Sequence, residues 1–194
     1  MQHDELEIEL PMRLFTAINF HDDTKARLLA MIGELCDKSV RGRFSLPENL
    51  HLTLVFLGEC SVRQADTVKS IMDMVCFEPI LITIDQIGLF KRDGKDIWWA
   101  GVRENKALTA LQRELTNRFT VAGFTPDTRK YSPHITLGRE VVTNSMPKPI
   151  EPFGETVTAV DLMLSEQIKG KLTYTVIYTK TAEGINTQSL GGLK

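Results

Sequence analysis

Two short segments carry the residues best suited to chemistry, His51-Leu52-Thr53-Leu54 and His134-Ile135-Thr136-Leu137. On an extended strand, side chains two apart share a face, so each segment sets an imidazole beside a hydroxyl and sends the intervening aliphatic residue the other way. Two such strands facing each other across a cleft supply two proton carriers and two neutral hydrogen-bond donors, a set suited to acid-base work on a phosphate. Histidine titrates near ~6.5 when unperturbed, so a pair can hold opposite protonation states near neutrality. A lone histidine in an apolar strand is more often a core residue, and threonine is simply a good strand former. The recurrence is what gives these two weight. His3 and His21, the other two histidines, fall in an acidic tail and a polar turn and read as solvent-exposed.

The elements that must position these residues are mixed throughout. Met12 to Asn19 is apolar enough for a central strand, and Asp22 or Asp23 offers an N-cap for a helix with a stripe of Leu28, Leu29, Ile32, Leu35 and Cys36. Pro47-Glu48-Asn49 breaks the chain before the first motif strand, His51 to Leu57, which should end at Gly58. Ser61 with Gln64 is a capping-box signature for a second helix burying Val62, Ala65, Val68, Met72 and Val75. Strands are expected at Ile80 to Ile87 and Ile97 to Arg103, where Trp98 and Trp99 point opposite ways and at most one faces the cleft. A third helix carries Leu108, Leu111, Leu115, Phe119 and Ala122 on one face, with Gly123 placed as its C-terminal cap. The second motif strand follows Pro133, and strands near Thr158 to Ser165 and Leu172 to Lys180, the latter half-buried, complete the set. The order of strand, helix and motif strand recurs in both halves, although identity between them is confined to the motifs. We expect an acidic extension over residues 1–11, one two-lobed domain over 12–181 and a loose tail over 182–194.

A chain of 194 residues with 42% hydrophobic and 25% charged residues has the makings of a well-buried core. A net charge of -2 argues against wholesale coating of nucleic acid, yet the charge is uneven. Asp4, Glu5, Glu7 and Glu9 crowd the start, whereas Arg41, Arg43, Lys91, Arg92, Lys95, Arg129, Lys130 and Arg139 lie near the motifs or between them. A locally positive mouth on an acidic body attracts a phosphate-bearing ligand without binding every polyanion. Cys36, Cys60 and Cys76 are odd in number and set among apolar residues, which reads as reduced core or near-core thiols. No segment has the apolar length of a membrane span or the order of a signal peptide, so the cytoplasm is the expected compartment and no membrane partner is expected.

The paired His-x-Thr motifs resemble those of the two-histidine phosphoesterase superfamily, and their flanks resemble the LigT-like RNA 2',3'-cyclic phosphodiesterases. The resemblance rests on Arg13-Leu14-Phe15-Thr16-Ala17, on Leu46 to Gly58, on Ile97 to Val102 and on Ser132 to Arg139. A weaker match runs from Leu162-Met163-Leu164-Ser165-Glu166 to the last strand, so that residues 12–180 are covered. It implies an α+β fold of two lobes in a pseudo-two-fold arrangement, antiparallel sheets with outer helices around a central cleft. Phe44 stands where many relatives have tryptophan, and the acidic start has no counterpart in the family pattern.

What the resemblance implies is hydrolysis of 2',3'-cyclic phosphates on RNA ends or nucleotides to 2'-phosphates, by a monomer with no cofactor. His51 and His134 are then the catalytic pair, with the acid role given to His51 and the water-activating role to His134, although the likeness of the motifs leaves exchange of the two open. Thr53 and Thr136 would donate to the non-bridging phosphate oxygens, and Arg139 would add a charge-assisted contact. Arg139 faces away from His134 on a regular strand, so this role requires a bend or bulge near Gly138. Tyr131 and Phe44 are candidates to stack on a base, with core packing as the competing use of each. Neither motif has a cysteine, aspartate or glutamate nearby on its own face, so no metal site is expected. Unperturbed histidines predict a bell-shaped pH profile with both limbs within a unit or two of ~6.5. The alternatives are action on another cyclic phosphate or a 2'-5' linkage, reversible 2'-5' ligation, and a non-catalytic module that binds RNA ends.

Overall fold

The computed structural model describes residues 11–184. Its elements are β1 (Met12–Asn19), α1 (Asp22–Asp37), β2 (Ser39–Phe44), β3 (His51–Cys60), α2 (Val62–Asp73), β4 (Ile80–Phe90), β5 (Ile97–Val102), α3 (Lys106–Val121), β6 (His134–Thr143), β7 (Pro149–Val157), β8 (Ala159–Ile168) and β9 (Lys171–Thr181). The strands form two sheets, β3-β1-β8-β9 and β2-β6-β5-β4-β7, antiparallel throughout. This is the expected two-lobed α+β architecture. The expected extension, apart from Pro11, and the tail beyond residue 184 lie outside the described residues.

The halves repeat each other in register. β1 sets Asn19 opposite His51 and Ala17 opposite Thr53, while β5 sets Gly101 opposite His134 and Trp99 opposite Thr136. The helices are exchanged between the lobes. α1 follows β1 of the first sheet but packs on β2, β6 and β7 of the second; α3 follows β5 of the second sheet but packs on α2 and β3. One apolar core therefore runs through both lobes, from Leu14, Leu28 and Leu52 to Leu108, Ile135 and Leu162.

Local chemistry explains where the helices begin and end. The Ser61 hydroxyl accepts from the Gln64 amide at 3.2 Å while the Gln64 side chain accepts from the Ser61 amide at 2.8 Å, the reciprocal capping box expected for α2. The Asn105 side chain caps α3 through the Leu108 amide, and Gly123 ends that helix at φ 90°, where a side chain would be strained. α1 differs from expectation. His21 is its N-cap residue, Asp22 and Asp23 occupy the first turn where their charge favours the helix dipole, and the His21 amide donates to Glu155 of β7.

Two strands escaped the sequence reading, and both are sheet edges. β7 contains Pro149 and Pro152, which argue against a central strand but are tolerated at an edge, and β2 lacks apolar alternation because half of it faces water. Edge placement also leaves Leu172 and Val176 of β9 exposed. Cys60 is buried, but Cys36 and Cys76 are exposed, because the buried stripe of α1 is Thr24, Leu28, Ile32 and Leu35 and Cys76 lies beyond the end of α2. In α2, Ile71 is buried and Val62 is not; in α3, Ala122 faces solvent. The Ala182 and Glu183 amides donate to the Thr158 and Phe77 carbonyls, so these two residues are held to the fold. Among the described residues no helix is long and apolar enough to cross a membrane.

Candidate active site

β3 of the first sheet lies beside β6 of the second, and this contact brings the two His-x-Thr segments to one cleft of about 730 Å³. His51, Thr53, His134, Thr136 and Arg139 all line it, as does Phe44. Tyr131 does not line it. Its hydroxyl instead donates to the Thr53 carbonyl across the lobes at 3.0 Å, and burial pushes its phenol well above the ordinary value. Its ring packs on the core, the competing use that the sequence left open, and Phe44 both packs on the core and borders the cleft.

The two imidazoles are held the same way. His51 Nδ1 lies 2.9 Å from the Asn49 carbonyl and His134 Nδ1 lies 2.7 Å from the Ser132 carbonyl, each two residues upstream. A carbonyl can only accept, so each Nδ1 carries the hydrogen and each Nε2 is left as the titrating nitrogen. The Thr53 hydroxyl donates to neutral His51 Nε2 at 3.1 Å, a bond without a counterpart between Thr136 and His134. Aromatic rings brace both sides: Phe15 and Tyr174 stand 5.0 and 5.1 Å from His51, and Phe90 stands 5.1 Å from His134 with Trp99 at 6.3 Å. Trp98 is in the core, so of the tryptophan pair only Trp99 reaches the histidine side.

Both histidines hold a proton less readily than free imidazole. Burial lowers His51 to about 4, against the Asn49 carbonyl, with the charges of Arg139, His134 and Lys25 adding to the shift. Burial also lowers His134, against the Ser132 carbonyl and with help from Arg139. Arg139 owes its place to a bulge. Trp98 of β5 faces Gly138 and Trp99 faces Thr136, so Leu137 is the extra residue that turns Arg139 to the histidine side. β3 carries the same device at Leu54, between Thr53 opposite Ala17 and Val55 opposite Thr16.

Of the other cations expected at the mouth, only Arg43 lines the cleft, and it pairs with Glu140 at 2.8 Å. Arg129 is spent on Asp127. The sequence reading missed the Asn49 and Ser132 carbonyls, though the shared spacing before each histidine signals them. It also missed the histidine contacts of Phe15, Phe90 and Tyr174, which lie on other strands and leave no mark near the motifs. Among the described residues no three His, Cys, Asp or Glu side chains gather as a metal-ligand set.

A profile described as the 2'-5' RNA ligase superfamily matches residues 21–166, which include both motifs. The chain belongs to this superfamily. Curated relatives within it include a protein of Archaeoglobus fulgidus named RNA 2',3'-cyclic phosphodiesterase, 32% identical over 130 residues that span 66% of this chain and 72% of that one. The Escherichia coli protein of the same name is 29% identical over 169 residues, 85% of this chain and 93% of its own. The fold matches E. coli LigT crystallised with 3'-AMP, with a TM-score of 0.79 at 25% identity over 89% of this chain and 99% of that one. Membership in the 2'-5' RNA ligase superfamily accords with the pseudo-two-fold arrangement and with a cleft between the lobes.

Proposed function

We propose that the chain hydrolyses 2',3'-cyclic phosphates at RNA ends or on nucleotides, the activity for which its relatives are named, and that it does so without a metal and leaves 2'-phosphates. The observation that carries this reading is the pair of imidazoles at one cleft, each with Nδ1 locked by a backbone carbonyl and Nε2 left to titrate. His134 Nε2 takes a proton from water, the water oxygen bonds to phosphorus, and the bond to the 3' oxygen breaks. His51 Nε2 delivers a proton to that oxygen, and the phosphate stays on the 2' oxygen. His51 is neutral in the free site, so the proton it delivers must be held by the bound anion, which raises both histidines. The Thr53 hydroxyl then swings from His51 to a non-bridging oxygen, with Thr136 and Arg139 as further donors.

The superfamily description favours a second reading. If a 5'-hydroxyl replaces water, the same bond changes join two RNA ends through a 2'-5' linkage, with no other change in the site. The test for both is purified protein with a nucleoside 2',3'-cyclic phosphate, then with added 5'-hydroxyl RNA, and products read by phosphorus NMR. Hydrolysis to a 2'-phosphate that persists in chelator is the expected result. A 3'-phosphate product overturns the regiochemistry, and activity that needs added zinc or manganese overturns the metal-free chemistry. We further take residues 12–181 to be one domain and the protein to act as a cytoplasmic monomer; sedimentation at other than 21.9 kDa counts against the last point.

A further inference from the structure

Four cationic side chains border the cleft: Arg13, Arg43, Arg139 and Lys171. Arg43 is paired with Glu140 at 2.8 Å and Lys171 with Glu48 at 2.7 Å. Arg139 bears on both histidines. Arg13 is different. No carboxylate pairs with it among the described residues, although Glu59 stands opposite it on β3. Its guanidinium lies over the ring of Phe56, 5.1 Å from the centroid, and Phe56 is itself exposed on the cleft wall. Phe56 follows His51 by five residues beyond the Leu54 bulge, as Arg139 follows His134 beyond the Leu137 bulge. The first lobe thus puts a ring where the second puts a cation, and the ring carries a cation of its own.

We propose that Arg13 binds the phosphodiester on the 5' side of the terminal nucleoside, so that the cleft reads an RNA strand and not a mononucleotide alone. The proposal rests on the reading of the site given above. Arg13 stands four residues along β1 from Ala17, the partner of Thr53, which is about 13 Å of strand at ~3.3 Å per residue. That offset carries the Arg13 backbone along the cleft wall away from the His-x-Thr pair, which suits a neighbouring phosphate. Stacking on Phe56 orders the guanidinium while leaving its N–H edge free for a bidentate phosphate contact. Ser165, opposite Arg13 on β8, borders the same part of the cleft and offers a neutral donor.

The test compares kcat/KM for a short RNA ending in a 2',3'-cyclic phosphate with that for a nucleoside 2',3'-cyclic phosphate, in the native protein and in Arg13→Gln. Arg13 is exposed, so the substitution leaves the core alone. The ratio of RNA to nucleoside should fall about tenfold or more, the worth of one charge-assisted hydrogen bond. The RNA reaction should also lose about 0.7 from its slope against log salt, the share of one phosphate contact on a single strand. Arg13→Lys, which keeps the charge but not the planar fork, should fall between the two. An unchanged ratio and slope in Arg13→Gln overturn the proposal. Absence of turnover on both substrates in the native protein would instead overturn the reading on which it rests.

Discussion

At the scale of single residues, the site separates orientation from proton transfer. The carbonyls of Asn49 and Ser132 fix which nitrogen titrates, and burial sets how readily it does so. Replacing either His51 or His134 with alanine should lower turnover by on the order of 10²-fold to 10⁴-fold, the contribution of a positioned acid or base. On the proposed mechanism both serve one step, so the double variant should fall well short of the product of the single losses. Steady-state kinetics on the three variants checks this, and full additivity would refute a shared step. The pH profile moves from the unperturbed expectation. Since kcat/KM reports the free protein, its acid limb should lie near 4 and its basic limb below 6.5. The same bell arises whichever histidine is the acid, because on the proposed mechanism the form with one proton between them is what reacts. A good leaving group departs without a proton, so an activated aryl phosphodiester should rescue His51→Ala more than His134→Ala. Preferential rescue of His134→Ala would exchange their roles.

At the scale of elements, legibility followed the balance between local and distant causes. The capping box of α2 and the glycine stop of α3 are written in neighbouring residues, whereas the bulge before Arg139 was expected only as a condition of the role given to that residue. The edge strands β2 and β7 were not legible, since what makes them strands is a partner elsewhere in the chain. The same is true of the bracing around His134. The Trp99 ring lies across Gly88 of β4, where a Cβ would come within 2.1 Å of it, and no side chain at all fits there unless the indole moves. Trp99 and Phe90 stand together against the imidazole, so Gly88 is the space on which that arrangement depends. Gly88→Ala should cost about 1–3 kcal/mol of stability, as overpacking does. It should also reduce kcat more than a stability loss explains, while an indole shift shows in tryptophan fluorescence. Unchanged fluorescence and kcat would mean that the ring is not held by this fit.

At the scale of the whole molecule, the exchanged helices make each lobe part of the other's core, and the Tyr131 bond to Thr53 ties them beside the histidines. Burying two imidazoles at that junction has a consequence for stability. A histidine lowered in the folded state binds fewer protons there than in the unfolded chain, so stability rises with pH between the two values and is lost as pH falls through them. For His51 the window runs from ~6.5 down to about 4, and His134 acts in the same direction. The carboxylates held low, Glu48 by Lys171 and Asp127 by Arg129, lose their contribution as pH falls from the ordinary carboxylate values of 4.5 and 3.8 toward their lowered ones. Between pH 6.5 and 4.5 the histidines therefore dominate. Denaturant midpoints should fall across that interval in the native protein, and His51→Gln, which cannot be protonated, should flatten the decline. An equally steep decline in His51→Gln would mean that another group takes up the proton and that the low value of His51 is not what the fold enforces.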